Sequence, residues 1–169
     1  MKKISFLKQK NMIRVLISLI PVELVSIYYF GWRVAVILLF AAAAGLLTEW
    51  LMAQRRNGKV SMACFVTTSL LALSLPPTIP LWMVGVGSVI AVLFGKEVFG
   101  GFGKNIFNPA IVGRAFLYVC FPIAMTARFV PVFTGVPGGF GRWSFSSLSS
   151  LPSALSAGTL SVSDAVTAA

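Results

Sequence analysis

Apolar residues in this chain run in blocks, and short Gly, Pro and basic clusters separate them. Five blocks are read as membrane spans, against the ~20 apolar residues that a full crossing helix needs. The first covers about Ile13–Phe30 and the second about Val34–Ala53. The third runs from Val60 to Leu75 and stops at Pro76-Pro77. The fourth, Leu81–Phe94, is short and punctuated by Gly. The fifth follows Asn108-Pro109 and runs from Ala110 to about Met125. Spans three to five fall short of a full crossing, a pattern typical of broken helices that line a site inside a membrane protein. Such irregular backbone must be shielded from lipid, so Leu75–Pro80 and Gly95–Pro109 are expected inside the bundle or at its mouth. Pro109 suits the first turn of a helix, where its missing N–H has no partner to lose.

Composition narrows the class. The chain has 57% hydrophobic and 11% charged residues with a mean hydropathy of +0.91. That excludes an ordinary soluble domain, which carries about 25% charged residues, and it excludes disorder, which requires low hydrophobicity. The expected fold is an all-α integral membrane protein. Its expected parts are a cytoplasmic N-terminus over 1–12, five spans within 13–126, and a Gly/Ser/Pro-rich extramembrane segment over 127–169.

The net charge of +10 points to topology and anionic lipid headgroups rather than nucleic acid, because the basic residues sit between apolar runs. Lys2, Lys3, Lys8, Lys10, Arg14, Arg55, Arg56, Lys59, Lys96 and Lys104 fall on one side. Arg33, Arg128 and Arg142 fall on the other. The basic excess marks the cytoplasmic face, so the N-terminus is expected inside and the tail outside. The first apolar run resembles a signal peptide. Bulky Tyr28, Tyr29, Phe30 and Trp32 follow it instead of a small-residue cleavage site, so it is read as a retained span with an interfacial aromatic belt.

A few polar residues interrupt the apolar blocks. Glu49 is the sharpest, since a carboxylate in an apolar helix is costly and usually faces a partner or an aqueous path. Two readings stand open: cation or proton handling, or a structural ion pair that snorkels toward Arg55 and Arg56. Glu23 lies nearer the middle of span one. Arg114 lies within span five and is a candidate partner for Glu97, Glu49, or a cofactor or lipid phosphate. Thr67, Thr68 and Ser69 are expected to bond helix backbone.

The segment Gly95–Pro109 combines Gly100, Gly101 and Gly103 with Lys96, Lys104, Asn105 and Asn108. Glycine permits positive φ and close backbone approach to a ligand. Each Asn amide both donates and accepts, which suits the edge of a planar ring such as a flavin. A helical turn would set the two amides on one side. The competing reading is a tight interhelical turn where only Gly fits. Walker A and Rossmann patterns are not met. Cys64 and Cys120 are single and are read as buried thiols, with a metal ligand shared with another subunit as the alternative. No metal site is expected within the chain, and no Ser–His or Cys–His catalytic arrangement is possible without His.

The strings FVTTSLLALSLPPTIPLW and GKEVFGGFGKNIFNPAIVGRAFLYVCFP resemble the NqrB/RnfD family, the membrane flavoprotein subunits of ion-pumping redox complexes. NqrB belongs to the sodium-translocating NADH:quinone reductase and RnfD to the Rnf complex. The GKEVFGG and GRAF stretches are more similar to the quinone-reductase branch, and the short N-terminus to the Rnf branch. The resemblance covers nearly the whole chain and is densest from Phe65 to Pro122. It implies a urea-transporter-like bundle of two five-span halves, of which this sequence supplies one. It implies FMN on a threonine through a phosphoester, in a motif like D-x-x-S/T-G/S/A-A-T. Here Asp164–Ala169 supplies the start of that motif, with Thr167 at its first hydroxyl position, and the acceptor falls just past Ala169.

The resemblance also places Asn105 and Asn108 on an Asn pair associated with noncovalent riboflavin, and Glu49 on an acid linked to sodium uptake. It implies an inner-membrane translocase component that works with the other subunits of an Rnf or Na⁺-NQR type complex. Two rival expectations are a redox-silent, urea-transporter-like channel and a purely structural membrane subunit.

Overall fold

A computed structural model describes residues 6–7, 10–56, 60–101 and 103–126. The segment 127–169, with Arg128, Arg142 and Thr167, lies outside the described residues. So do Lys2, Lys3, Lys8 and Lys59.

The described residues are all-α apart from two two-residue strands. Their elements are β1 (Phe6–Leu7), α1 (Lys10–Phe30), α2 (Arg33–Arg56), β2 (Val60–Ser61), α3 (Ala63–Leu73), α4 (Leu81–Val92), a π-helical turn (Leu93–Glu97), α5 (Pro109–Cys120) and α6 (Pro122–Thr126). The helices α1 and α2, of 21 and 24 residues, are long and apolar enough to cross a membrane. Gly31 joins them. It has φ +88° and donates its N–H to the Ile27 carbonyl at 2.9 Å, the left-handed helix stop that only Gly adopts without cost. Trp32 and Tyr29 remain exposed beside this turn.

Where the sequence suggested three short spans, the backbone is more finely divided. Span three narrows to α3. Span four extends: α4 passes into the π-helical turn, so helical backbone continues to Glu97. Span five is not one helix. Phe121 breaks it at φ −133° and ψ 59°, and Pro122, which has no N–H to continue the ladder, starts α6. The Phe121 ring packs edge-on against Trp82 at the start of α4, with centroids 5.3 Å apart. The break is thus tied to the neighbouring helix.

The Leu75–Pro80 connection is inside, as expected. Leu75, Pro76, Pro77, Thr78 and Ile79 are all buried. The Arg33 guanidinium donates to Thr78 O and Ile79 O at 3.1 Å each. Arg33 therefore holds a proline-broken turn, beyond its place among the topology charges.

The core lies where α2 packs on α3 and α4, and α4 on α5. Small residues make the α4–α5 contact close. Gly87, Ala91 and Gly95 recur every four residues on one face, and Pro109, Gly113 and Leu117 do the same opposite. A Cβ on Gly113 would lie 2.7 Å from the Gly87 carbonyl oxygen, and one on Gly95 would lie 2.6 Å from Pro109 Cα. Within a membrane, close packing of small residues replaces the hydrophobic drive as the source of helix association. By contrast, α1 buries no residue at all.

Candidate functional site

The deepest polar cluster forms where α2, β2 and the π-helical turn meet. Glu49 is 1% exposed, despite lying in an apolar helix. Its two oxygens are both used. Oε1 accepts the backbone N–H of Ser61 at 2.7 Å, and Oε2 accepts the Lys96 ammonium at 2.7 Å. The Lys96 Nζ also donates to Ser61 Oγ. Lys96 is itself 2% exposed, so both charges are withdrawn from solvent. Cys64, from the start of α3, is buried and lies near enough to Glu49 to interact with it.

Local structure explains the meeting. β2 pairs in parallel with β1, Val60 opposite Phe6 and Ser61 opposite Leu7, which fixes the extended backbone that turns the Ser61 N–H toward Glu49. The π-helical turn adds a residue to the helical circuit, and its last two positions, Lys96 and Glu97, are buried. Burying two charges is costly, and the pair holds only because hydrogen bonds satisfy its remaining atoms. Glu49 therefore does not snorkel toward Arg55 or Arg56. Its partner is 47 residues away in sequence.

An open cleft of about 370 Å³ adjoins this cluster, lined by Met12, Ala63, Val66, Thr67, Leu70, Lys96, Asn105, Asn108 and Pro109. Its walls are apolar, and its polar groups come from the residues that the sequence singled out. Asn108 caps α5, and its Oδ1 accepts the Ala110 N–H at 3.1 Å. Asn105 Nδ2 donates to the Phe107 carbonyl at 3.1 Å. These bonds leave Asn105 Oδ1 as an acceptor and Asn108 Nδ2 as a donor, with Lys96 and the Thr67 hydroxyl beside them.

The two Asn residues share the cleft, though not by the expected route. Residues 104–108 are not helical, and it is the loop's return to α5 that brings the amides together. Gly100, Gly101 and Gly103 all have positive φ, at +102°, +94° and +84°. They reverse the chain between the π-helical turn and the Asn pair and do not line the cleft.

The other candidates fall elsewhere. Arg114 is exposed on α5, so the expected pairing with Glu49 is not made: Lys96 holds that carboxylate, and Arg114 lies on the outward face. Cys120 is exposed rather than buried, because α5 turns it away from the α4 contact. Glu23 is half-buried on α1. Thr68 bonds the Cys64 carbonyl at 3.0 Å, as a helix-embedded threonine does. Among the described residues no cluster of three or more His, Cys, Asp or Glu forms a metal site.

Sequence reasoning missed Lys96 and Ser61 as partners of Glu49. The sequence marks Lys96 as a topology charge and as a candidate ligand-binding group of the Gly95–Pro109 segment, but not as the partner of Glu49. The available signal was its place directly after an apolar run and a single Gly, with no polar residue between Ser88 and Lys96.

A family model described as the NQR2, RnfD, RnfE family matches residues 5–169. Among curated proteins, the D-type member of the ion-translocating oxidoreductase complex from Escherichia coli O1:K1 / APEC, from strain K12 / DH10B and from O157:H7 (strain EC4115 / EHEC) is 37% identical over 134 residues. The match covers 75% of this chain and 38% of each relative. The chain thus spans well under half the length of the curated relatives it matches.

Proposed function

This chain belongs to the NQR2, RnfD, RnfE family, and on that premise we propose that it is part of a membrane subunit of an ion-translocating electron-transport complex, of Rnf or Na⁺-NQR type. In this reading the cleft beside Lys96 holds a riboflavin-like ring without a covalent bond. FMN is carried on a threonine past Ala169. Glu49 serves the movement of Na⁺ or H⁺. The five crossings form one half of a two-half bundle in a bacterial inner membrane, with the N-terminus cytoplasmic. Other subunits of the complex supply and remove electrons.

One observation carries the proposal. The ammonium that neutralises Glu49 also lines the cleft that contains Asn105 and Asn108. The donor set fits a flavin. A ring edge with alternating carbonyl and imino groups requires both donors and acceptors, and Asn108 Nδ2, Asn105 Oδ1 and the Lys96 ammonium provide them. The apolar walls suit the rest of the ring, and the volume lies within the roughly 300–1,000 Å³ usual for small-molecule sites. When bound, flavin supplies one- and two-electron redox capacity. The chain orients the ring, offers it the apolar side chains of Val66 and Leu70, and keeps a positive charge beside it.

The test is flavin release from the full-length protein in its complex. Denaturation frees noncovalent riboflavin into the supernatant, and Asn105→Leu abolishes that fraction while leaving the flavin fluorescence of the denatured polypeptide band intact. Full retention of released riboflavin in Asn105→Leu removes the cleft from the account.

A further inference from the structure

Both oxygens of the Glu49 carboxylate are engaged, and the charge that balances it comes from the chain itself. One oxygen takes the Ser61 N–H and the other takes the Lys96 ammonium, both at 2.7 Å. A free monovalent cation reaching Glu49 meets a seat already filled by a positive charge of the chain itself. That charge is tethered but not locked. The Lys96 stem is four carbons long with rotatable bonds, and the side chain borders the Asn105–Asn108 cleft. There the Asn105 Oδ1 acceptor stands without an intramolecular partner among the described residues. Lys96 therefore has two polar environments within one side chain: the Glu49–Ser61 seat and the cleft.

We propose that Lys96 is a tethered counter-cation that occupies the Glu49 seat in competition with a free cation, and vacates it toward the cleft. This rests on the reading of Glu49 as a cation-handling group and adds what controls access to it. The charge balance is simple. With Lys96 paired, the ammonium balances the Glu49 charge and fills the place that a free cation would take. With Lys96 turned to the cleft, a buried carboxylate keeps the Ser61 N–H but loses its counter-charge, and a free cation takes the vacated place. Acceptor atoms or negative charge in the cleft favour the second state, so the content of the cleft governs the charge at Glu49. The charged and titratable groups around the seat are Lys96, Glu97 and Cys64. Arg55, on the same helix as Glu49, is exposed.

The proposal is tested by labelling Glu49 with dicyclohexylcarbodiimide in the full-length protein within its complex, with and without NaCl, and quantifying the modified peptide by mass spectrometry. The reagent adds to a protonated carboxyl group in an apolar setting, so an ion-paired Glu49 reacts slowly. In the wild-type protein, labelling is low and indifferent to Na⁺. In Lys96→Met it rises by about tenfold or more, as the carboxyl group loses its ion-pair partner, and Na⁺ now suppresses it. Lys96→Arg returns labelling to the wild-type level.

Ser61→Ala removes only the second acceptor of Lys96 and is the safeguard if Lys96→Met does not assemble. It shows intermediate labelling with partial Na⁺ protection. Equal Na⁺ protection in the wild type and in the variant overturns the tethered-cation role while leaving Glu49 as a cation site. No protection in any variant overturns both that role and the cation-handling reading of Glu49.

Discussion

Glu23 and Glu49 are two carboxylates in two membrane-length helices, and the helices treat them differently. α1 buries none of its residues, and Glu23 is half-buried on it. α2 packs on α3 and α4, and Glu49 on it is buried against Lys96 and Ser61. The local sequence of the two acids is similar, since each sits in an apolar run. What separates them is packing. Only α2 lies where a strand, a π-helical turn and a small-residue helix pair converge. An acid in a greasy helix becomes part of a site when the fold brings it a counter-charge, and that counter-charge need not be near it in sequence.

The comparison is broken most forcefully by removing one charge of the buried pair. Glu49→Ala leaves the Lys96 ammonium buried without a partner and is expected to cost about 3–5 kcal/mol of stability. Glu23→Ala is expected to change stability by no more than about 0.5 kcal/mol. Thermal unfolding of the two variants in detergent, read by circular dichroism, compares them directly. Similar losses in both would mean that α1 is as tightly held as α2.

Next in size is the α4–α5 contact. Gly113→Leu forces a side chain against the Gly87 carbonyl and Ala91, with an expected cost of about 1–3 kcal/mol or more. Val25→Leu, on the exposed face of α1, adds apolar bulk where nothing is packed and is expected to be near neutral. The same unfolding measurement sharpens the contrast between a helix with buried faces and one that buries no residue fully.

The smallest effect separates the scaffold and ligand roles of the two Asn residues. Asn108→Ala removes a helix cap, worth about 1 kcal/mol. Asn105→Ala removes only an exposed bond to the Phe107 carbonyl and costs less. Both variants are expected to lose released riboflavin, so flavin content falls alike while stability falls unequally. Flavin loss that tracks only stability would assign Asn108 to the helix alone.

Much of this was legible in the sequence because it follows from local rules. Apolar runs of sufficient length mark α1 and α2, Pro109 marks the start of α5, and Glu49 stands out as the one charge in its run. The loop glycines were also legible, since three of them take positive φ. What was hidden depends on tertiary register. Nothing near Lys96 announces that a π-helical turn carries it inward, and nothing near Ser61 announces that its N–H faces a carboxylate twelve residues earlier. Arg114 shows the converse. Its position in an apolar stretch left a carboxylate, a cofactor and a lipid phosphate open as partners, and helix phase turns it outward while Gly113, its neighbour, makes the α4 contact.

The most direct measurement is an electron cryomicroscopy map of the full-length protein in its complex, at a resolution that shows side chains. The account predicts density for a planar three-ring system in the cleft between α3 and the Lys96–Pro109 segment, within hydrogen-bonding distance of Asn105 and Asn108 and bordered by Lys96. A cleft filled by a lipid chain or closed by its own side chains, with every flavin elsewhere in the complex, would contradict it.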